Sequence, residues 1–207
     1  MTPKRVTVYV DGFNLYHSLD DLHQDHLKWL NLWSLSEKLL PEDGSEILTT
    51  VKYFSAYATW REHSMRRHQR YVDALKAHGV DVILGRFKEK RNRCLSCNAR
   101  YISHEEKETD VNIGAHLMAD ALKNRFERAL IISADTDING VVDLARSEAD
   151  GKIIHIVSPP ERRSRNRKAL FAISKGKVKD SLLPETVTTC DGRIILRPDV
   201  YMPPVEE

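Results

Sequence analysis

The sequence predicts an α/β protein with a mainly parallel sheet that is covered by helices on both faces. Two observations lead to this fold class. Strand patterns alternate with helix patterns through most of the 207 residues, which is typical of a sheet built from β-α-β units. The strand candidates are continuous apolar runs such as VTVYV and ALIIS, as expected of strands that are buried on both faces.

The first half of the chain shows the alternation clearly. Val6–Val10 is β-branched and aromatic, and therefore predicts a strand. Gly79 ends a run of helix formers that carries apolar residues at helical spacing. The predicted elements are a strand over Val6–Val10, a helix after Asn14, a helical stretch around Leu32 to Leu40, a strand over Ile47 to Tyr57, a helix over Arg61 to His78 and a strand over Val80 to Leu84.

The second half begins with a polar, charged segment from Gly85 to Glu108, which we interpret as an irregular insertion or long loop. The alternation then resumes, since the next segment has an apolar helical face and is followed by the apolar run ALIIS. The predicted elements are a helix over Asp110 to Lys123, a strand over Ala129 to Ser133, a helix over Ile138 to Ser147, a strand over Lys152 to Val157 and a helix from Ser164 to about Ile173.

The end of the chain follows a different pattern. Val187 to Leu196 places Asp191-Gly192 between two β-prone runs, which indicates a hairpin with a type I′ turn. We predict that this hairpin is peripheral. The expected organisation is one domain over residues 1–175, with an insertion at about 86–108, followed by a C-terminal tail over residues 176–207.

Composition favours a cytoplasmic protein with no membrane segment. The chain is 41% hydrophobic and 30% charged, with a formal net charge of +2. No apolar run approaches the ~20 residues that cross a bilayer, the N-terminus is too polar for a signal peptide, and three cysteines do not suit a disulfide scaffold. Any nucleic-acid surface must therefore arise from local clustering of cations.

Four carboxylates are expected at one edge of the sheet. Asp11 ends the first strand, Asp135 and Asp137 follow ALIIS, and Asp110 opens the preceding helix. The carboxyl ends of parallel strands form the usual ligand site of such sheets. Crowded carboxylates repel one another unless a cation lies between them, and oxygen ligands favour Mg²⁺ or Mn²⁺. Taken singly, Asp110, Asp137 or Asn14 could instead only cap a helix.

Three separated segments, VYVDGFNLY, EEKETDVNIGAHLMADAL and ALIISADTDINGVV, together resemble the NYN domain, a PIN-like nuclease domain. The resemblance covers roughly Val6 to Val157. It implies a Rossmann-type three-layer α/β/α sandwich and metal-dependent cleavage of RNA. The acidic positions of the family correspond to Asp11, Asp110, Asp135 and Asp137, and its amide corresponds to Asn14. Ala134 departs from the family, in which many members have glycine.

The predicted function is therefore that of an Mg²⁺- or Mn²⁺-dependent endoribonuclease. Phosphodiester hydrolysis needs a positioned water and neutralised phosphate charge, and metal ions held by carboxylates supply both. One alternative is an RNA-binding or regulatory module without activity. Another is a phosphatase of the haloacid-dehalogenase type, because ADTD after an apolar strand is similar to its nucleophile loop, although that family places the loop at its first strand.

Two basic segments predict contacts with RNA, or with single-stranded nucleic acid more broadly. The first, after the strand KIIHIV, contains Arg162, Arg163, Arg165, Arg167 and Lys168. The second, Arg86 to Arg93, begins the insertion. Both leave the carboxyl edge of the predicted sheet, where cations could bind phosphates. Either run alone could be ordinary solvated surface. Phe87, Tyr101 and Trp60 are candidates for stacking on bases.

The spacing Cys94-Leu-Ser-Cys97 predicts a structural zinc that pins the insertion, with His104 as a third ligand. His63, His68 or Cys190 could complete the set through the fold. The alternative is two free cysteines in a loop. We also expect that the chain could form a homo-oligomer.

Overall fold

The computed structural model describes residues 2–204 and confirms the predicted α/β class. Its centre is a six-stranded sheet in which every neighbouring pair is parallel, in the order β3-β2-β1-β6-β7-β8. The strands are β1 Lys4–Asp11, β2 Glu46–Ser55, β3 Asp81–Leu84, β4 Arg86–Arg93, β5 Arg100–Lys107, β6 Arg128–Ile132, β7 Ile153–Ser158, β8 Ala169–Ala172, β9 Thr186–Thr188 and β10 Ile194–Leu196. The helices are α1 Gly12–Asp20, α2 Leu32–Glu37, α3 Glu62–Ala77, α4 Thr109–Leu122, α5 Ile138–Glu148 and α6 Lys175–Lys179.

Helices cover both faces of the sheet and give the expected three layers. Successive residues of β1 point to opposite faces, so Val8 and Val10 join a core formed with α1, α2 and α3. Tyr9 joins the other core, formed with α4 and α5. No helix among residues 2–204 is long and apolar enough to cross a membrane.

A buried ion pair joins the sheet to α4. Lys52 of β2 is paired with Asp120 of α4, and the two residues are 6% and 1% exposed. The Tyr9 hydroxyl donates to Asp120 at 2.7 Å, and Arg125 pairs with its other oxygen at 2.9 Å. Because both oxygens of Asp120 are bonded, its charge is compensated inside an otherwise apolar layer.

The insertion is regular, so the prediction of an irregular segment from Gly85 to Glu108 was wrong. It forms an antiparallel hairpin of β4 and β5, paired from Arg86↔Lys107 to Arg93↔Arg100. Oppositely charged side chains contact each other diagonally across the strands, as Lys90 does with Glu105 at 2.7 Å. Cross-strand pairing therefore replaces the apolar alternation that usually reveals a strand.

The prediction of a helix from Ser164 to Ile173 was also wrong. A single 3₁₀ turn over Arg163–Arg165 precedes β8, which pairs with β7 and forms the edge of the sheet. Ala169 and Ile173 are buried at this edge. Pairing with the otherwise open side of β7 outweighs the local helix propensity of the segment.

The tail forms the predicted hairpin outside the main sheet. β9 and β10 pair antiparallel, and Val187 and Ile195 pack with Trp29, Ala74 and Leu183. The turn is not type I′, which needs two residues with positive φ. Gly192 has φ +82°, whereas Asp191 is not in the left-handed region. The division of the chain into a domain and a tail at residue 175 stays a prediction.

Candidate functional site

The candidate site lies where the two central strands end. β1 and β6 are adjacent and parallel, so Asp11 at the end of β1 meets the loop that follows β6. The Ser133 hydroxyl donates to Asp11 Oδ2 at 2.9 Å, across 122 residues of sequence. Sequence patterns placed Asp11 at this edge but gave no sign of its serine partner.

Asp11 is only 3% exposed, and both of its oxygens accept hydrogen bonds. Oδ1 accepts from the backbone N–H of Asn14 at 3.0 Å, so Asp11 caps α1. Burial raises the pKa of Asp11, while the hydrogen bonds from Asn14 and Ser133 oppose that rise. The side chain is therefore held in one position by groups that stabilise its charged form.

Gly12 makes the sharp junction between β1 and α1 possible. A Cβ atom at this position would lie 2.6 Å from the Phe54 carbonyl oxygen and 2.6 Å from the Tyr53 ring. The helix therefore begins directly after Asp11, and its first turn stays close to the sheet edge.

Asn14 does not cap a helix. Its Oδ1 accepts the backbone N–H of Ala134 at 3.2 Å, which ties α1 to the loop after β6. In that loop, the Asp135 N–H donates to Ser133 Oγ at 3.0 Å, and the Asp137 N–H donates to Asp135 Oδ1 at 2.9 Å. Asp137 precedes α5 but its side chain makes no capping bond, so capping does not account for it.

Asp110 is the fourth predicted carboxylate, and it lies in the first turn of α4. Burial raises its pKa to about 6, and the negative charges of Asp11, Asp135, Glu106 and Asp137 add to the rise. The four carboxylates are thus electrostatic neighbours. Such crowding is expected where a cation is to be bound.

Glu106 is a fifth acidic residue of this region, and the sequence patterns missed it. Its Oε1 accepts the backbone N–H of Thr109 at 3.1 Å and also the Thr109 hydroxyl. Glu106 therefore accepts the free backbone N–H of the first residue of α4, the helix that carries Asp110. Glu106 lies in β5, two residues before the N-cap position Glu108, so its contact does not follow the usual capping pattern and no local sequence signal revealed it.

The donor set suits a hard divalent cation in atom type and in charge. Carboxylate and amide oxygens are the ligands that Mg²⁺ and Mn²⁺ prefer. Within residues 2–204, however, no three His, Cys, Asp or Glu side chains are already placed so that they could coordinate one metal ion. The acidic side chains are neighbours that would have to turn toward a shared ion.

The loop between β7 and β8 is fixed against the acidic residues by Asn166. This side chain is 1% exposed, and its Nδ2 donates to the Asp135 carbonyl oxygen at 2.7 Å and to Asn139 Oδ1 at 3.0 Å. Neither Asn166 nor Asn139 was predicted. Their contacts place the predicted basic run beside Asp135.

The five basic residues of that run are not equivalent. Arg162 is 8% exposed and pairs with Asp21 at the end of α1, so the prediction that it binds phosphate was wrong. Lys168 pairs with Asp143 at 2.5 Å. The side chains of Arg163, Arg165 and Arg167 are exposed. They remain the candidates for phosphate contacts.

The predicted zinc ligands do not come together as a set of three. Cys94 and Cys97 lie at the tip of the β4–β5 hairpin. His104 pairs with Glu89, five residues before Cys94, so about 3.3 Å per residue puts it roughly 16 Å down the hairpin. Its ring stacks on Trp60 at 3.6 Å instead. Among the described residues, His63, His68 and Cys190 do not complete a cluster either.

A row of aromatic rings leads from the acidic residues to the base of the hairpin. Phe13 of α1 contacts Phe87 at 5.5 Å between ring centroids, and Phe87 contacts Trp60 at 4.7 Å. Trp60 is 38% exposed. Tyr101 is 53% exposed and lies near the hairpin tip, beside the pair Arg93↔Arg100.

Comparison with known proteins is consistent with this architecture. The model of the NYN domain matches residues 5–172. One relative, the 6-hydroxy-3-succinoylpyridine 3-monooxygenase HspA of Pseudomonas putida, is 25% identical over 89% of this chain and 72% of its own. The crystal structure of a protein of unknown function from Vibrio parahaemolyticus superposes with a TM-score of 0.53 at 16% identity. It covers 88% of this chain and 98% of that one, and it supports the fold alone.

Proposed function

Since the chain belongs to the NYN domain family, whose fold is nuclease-like, we propose that it is an Mg²⁺- or Mn²⁺-dependent endoribonuclease. The observation that carries the proposal is the crowding of carboxylates around Asp110, whose pKa is raised to about 6 by burial and, in addition, by the neighbouring negative charges. A protein has little reason to gather four acidic side chains at one sheet edge unless a cation or a charged substrate is held there.

Asp11, Asp110 and Asp135 would hold the metal directly or through water, and Asp137 would support a second ion or orient water. The metal would activate a water molecule and neutralise charge on the phosphate. Asn14 already bonds the loop after β6, so it positions Asp135 and could offer its amide to a phosphate. Ser133 and Asn166 would act by fixing Asp11 and Asp135.

The surroundings of the site suit a single-stranded polynucleotide. Arg163, Arg165 and Arg167 are exposed on a loop that is bonded to the backbone of Asp135. On the other side, the aromatic row ends at the partly exposed ring of Trp60. Cations bind phosphates without reading sequence, and aromatic rings stack on bases. A flexible strand could contact both while its backbone crosses the carboxylates.

The test is cleavage of a panel of labelled RNAs and single-stranded DNAs with Mg²⁺, with Mn²⁺ and with EDTA. We expect metal-dependent internal cleavage of RNA. Asp11→Asn keeps the shape of the side chain and a capping oxygen but removes its charge, so the cleavage rate should fall at least ~100-fold if a metal ligand is lost. Asp150→Asn, which changes an exposed carboxylate elsewhere, is the matched control. Full activity in Asp11→Asn would contradict the metal-site proposal.

Two other outcomes have clear meanings. RNA binding without cleavage in any metal would favour the alternative of a binding or regulatory module. The name of the Pseudomonas putida relative suggests a second assay, monooxygenation of 6-hydroxy-3-succinoylpyridine with O₂ and a two-electron reductant. Turnover in that assay, together with intact RNA, would replace the nuclease proposal. A phosphoenzyme formed with a phosphate ester would instead favour the phosphatase alternative.

A further inference from the structure

The tip of the β4–β5 hairpin has a defined turn that brings two cysteines together. The backbone N–H of Cys94 donates to the Ala99 carbonyl at 2.8 Å, and the N–H of Asn98 donates to the Cys94 carbonyl at 2.9 Å. Asn98 has φ +59°, the left-handed conformation that asparagine tolerates better than most residues. The chain therefore reverses directly after Cys97.

The two thiols are neighbours and are not joined by a disulfide. Two cysteines separated by two residues are a common half of a structural zinc site. The turn therefore places two metal-binding side chains together at the end of the hairpin.

The tip supplies only two ligands, whereas a structural zinc is almost always held by four. Among residues 2–204, no third His, Cys, Asp or Glu side chain joins the pair. The tip also projects from the protein, since Leu95 is fully exposed and Cys97 is exposed. A zinc ion held at this tip would therefore need two further ligands from outside the described part of the chain.

We propose that two copies of this protein share one zinc ion at their hairpin tips, each copy contributing Cys94 and Cys97. A two-fold axis through the metal would turn the two pairs into a closed set of four thiolates. Such a set with Zn²⁺ carries a net charge of −2. The guanidinium groups of Arg93 and Arg100, which flank the tip as the last cross-strand pair, would neutralise it from both copies.

The same cations make the contact depend on the metal. Without the thiolate-bound zinc, two tips that each carry Arg91, Arg93 and Arg100 would repel each other. With it, the negative zinc–thiolate group and the flanking arginines carry complementary charges. This site is separate from the acidic edge of the sheet, so the zinc proposal and the nuclease proposal do not depend on each other.

The test uses the full chain, purified in reducing buffer. Zinc is added, and gel filtration then removes the zinc that the protein has not bound. Metal analysis should give about one zinc per two chains, and light scattering should give a dimer. A zinc chelator should convert the dimer to monomer, and added zinc should restore it. Cys94→Ser and Cys97→Ser should each be monomeric and free of zinc with an unchanged circular dichroism spectrum, whereas Cys190→Ser should behave like the original protein.

Three results would overturn the proposal. A monomer with one zinc per chain would show that the other ligands are not a second copy. A protein that binds no zinc would leave the pair as free thiols. Loss of two free thiols per chain without reducing agent, together with zinc-independent behaviour, would assign the pair to disulfide chemistry. None of these results would change the outcome expected for RNA cleavage.

Discussion

At the scale of single residues, Asp11 has two roles at once. One oxygen caps α1 through the Asn14 N–H, and the other accepts the Ser133 hydroxyl. Capping the helix therefore does not prevent Asp11 from also serving as a carboxylate of the proposed site. Asparagine can take over the cap but not the charge, which is why Asp11→Asn should separate the loss of activity from the loss of stability.

His68 provides a pH-dependent test at the same scale. The ring bonds the Tyr53 hydroxyl at 3.2 Å, and burial lowers its pKa from 6.5 to about 4. The folded state therefore binds this proton less readily than the unfolded state does. The stability it contributes is fully present above pH 6.5 and is lost as the pH falls toward 4. Because the ring keeps some contact with solvent, we expect a loss of about 2 kcal/mol across this range.

Urea denaturation at several pH values measures the effect. His68→Gln cannot titrate, so its free energy of unfolding should fall less between pH 6.5 and 4 than that of the original protein. His63→Gln changes an exposed histidine of the same helix and serves as the control. Parallel pH curves for the original protein and His68→Gln would show that His68 is not the group responsible.

At the scale of elements, the sequence predicted those parts of the fold whose pattern is local. Val6–Val10 and Ala129–Ser133 reveal strands because they are continuous apolar runs. The β4–β5 hairpin was missed because its strands are held by charge pairs, such as Lys90 with Glu105, that resemble a solvated loop. β8 was missed because the edge of β7 that it completes is made elsewhere in the chain.

The residues of the candidate site also fall into those that the sequence predicted and those that it did not. Sheet topology alone predicted that Asp11 and Asp135 would lie at one edge. Ser133, Glu106 and Asn166 were missed because their importance rests on partners that only the folded chain brings near. Arg162 was assigned to phosphate binding by its charge, but its partner Asp21 lies 141 residues away in sequence. Charge shows that a residue needs a partner but does not identify which one.

The loop between β7 and β8 gives the prediction for this scale. Replacing Arg165 and Arg167 with glutamine should weaken RNA binding to a similar degree across sequences. Each lost phosphate contact should reduce the slope of log affinity against log salt by about 0.7 for single strands. Binding titrations at several salt concentrations measure this slope. Arg70→Gln with Lys76→Gln on exposed positions of α3 is the control pair, and an equal effect of both pairs would indicate a non-specific role of charge.

At the scale of the whole molecule, the buried ion pair of Lys52 and Asp120 joins the centre of the sheet to the layer of α4 and α5. Removing Asp120 would leave the Lys52 ammonium and the Tyr9 hydroxyl without their partner in the core. We expect Asp120→Ala to lower the free energy of unfolding by about 3–5 kcal/mol. Asp143→Ala, which breaks pairs on the surface, should cost about 0–1 kcal/mol.

Chemical denaturation of the two variants compares them directly. A similar small effect of both substitutions would mean that water or a shift of Lys52 compensates for the lost carboxylate. A large effect of Asp120→Ala alone would identify this pair as a main connection between sheet and helix layer.

The neighbouring positions of β1 and β6 also have a consequence for biosynthesis. Asp11 leaves the ribosome early, but Ser133, its partner across 122 residues, is translated much later. The central strands cannot pair until β6 has emerged, and such long-range pairing is slow. A growing chain would therefore carry Asp11 without the rest of the acidic set. If the chain cleaves RNA as proposed, it would therefore stay inactive for most of its own synthesis, while the messenger RNA that encodes it is still within reach.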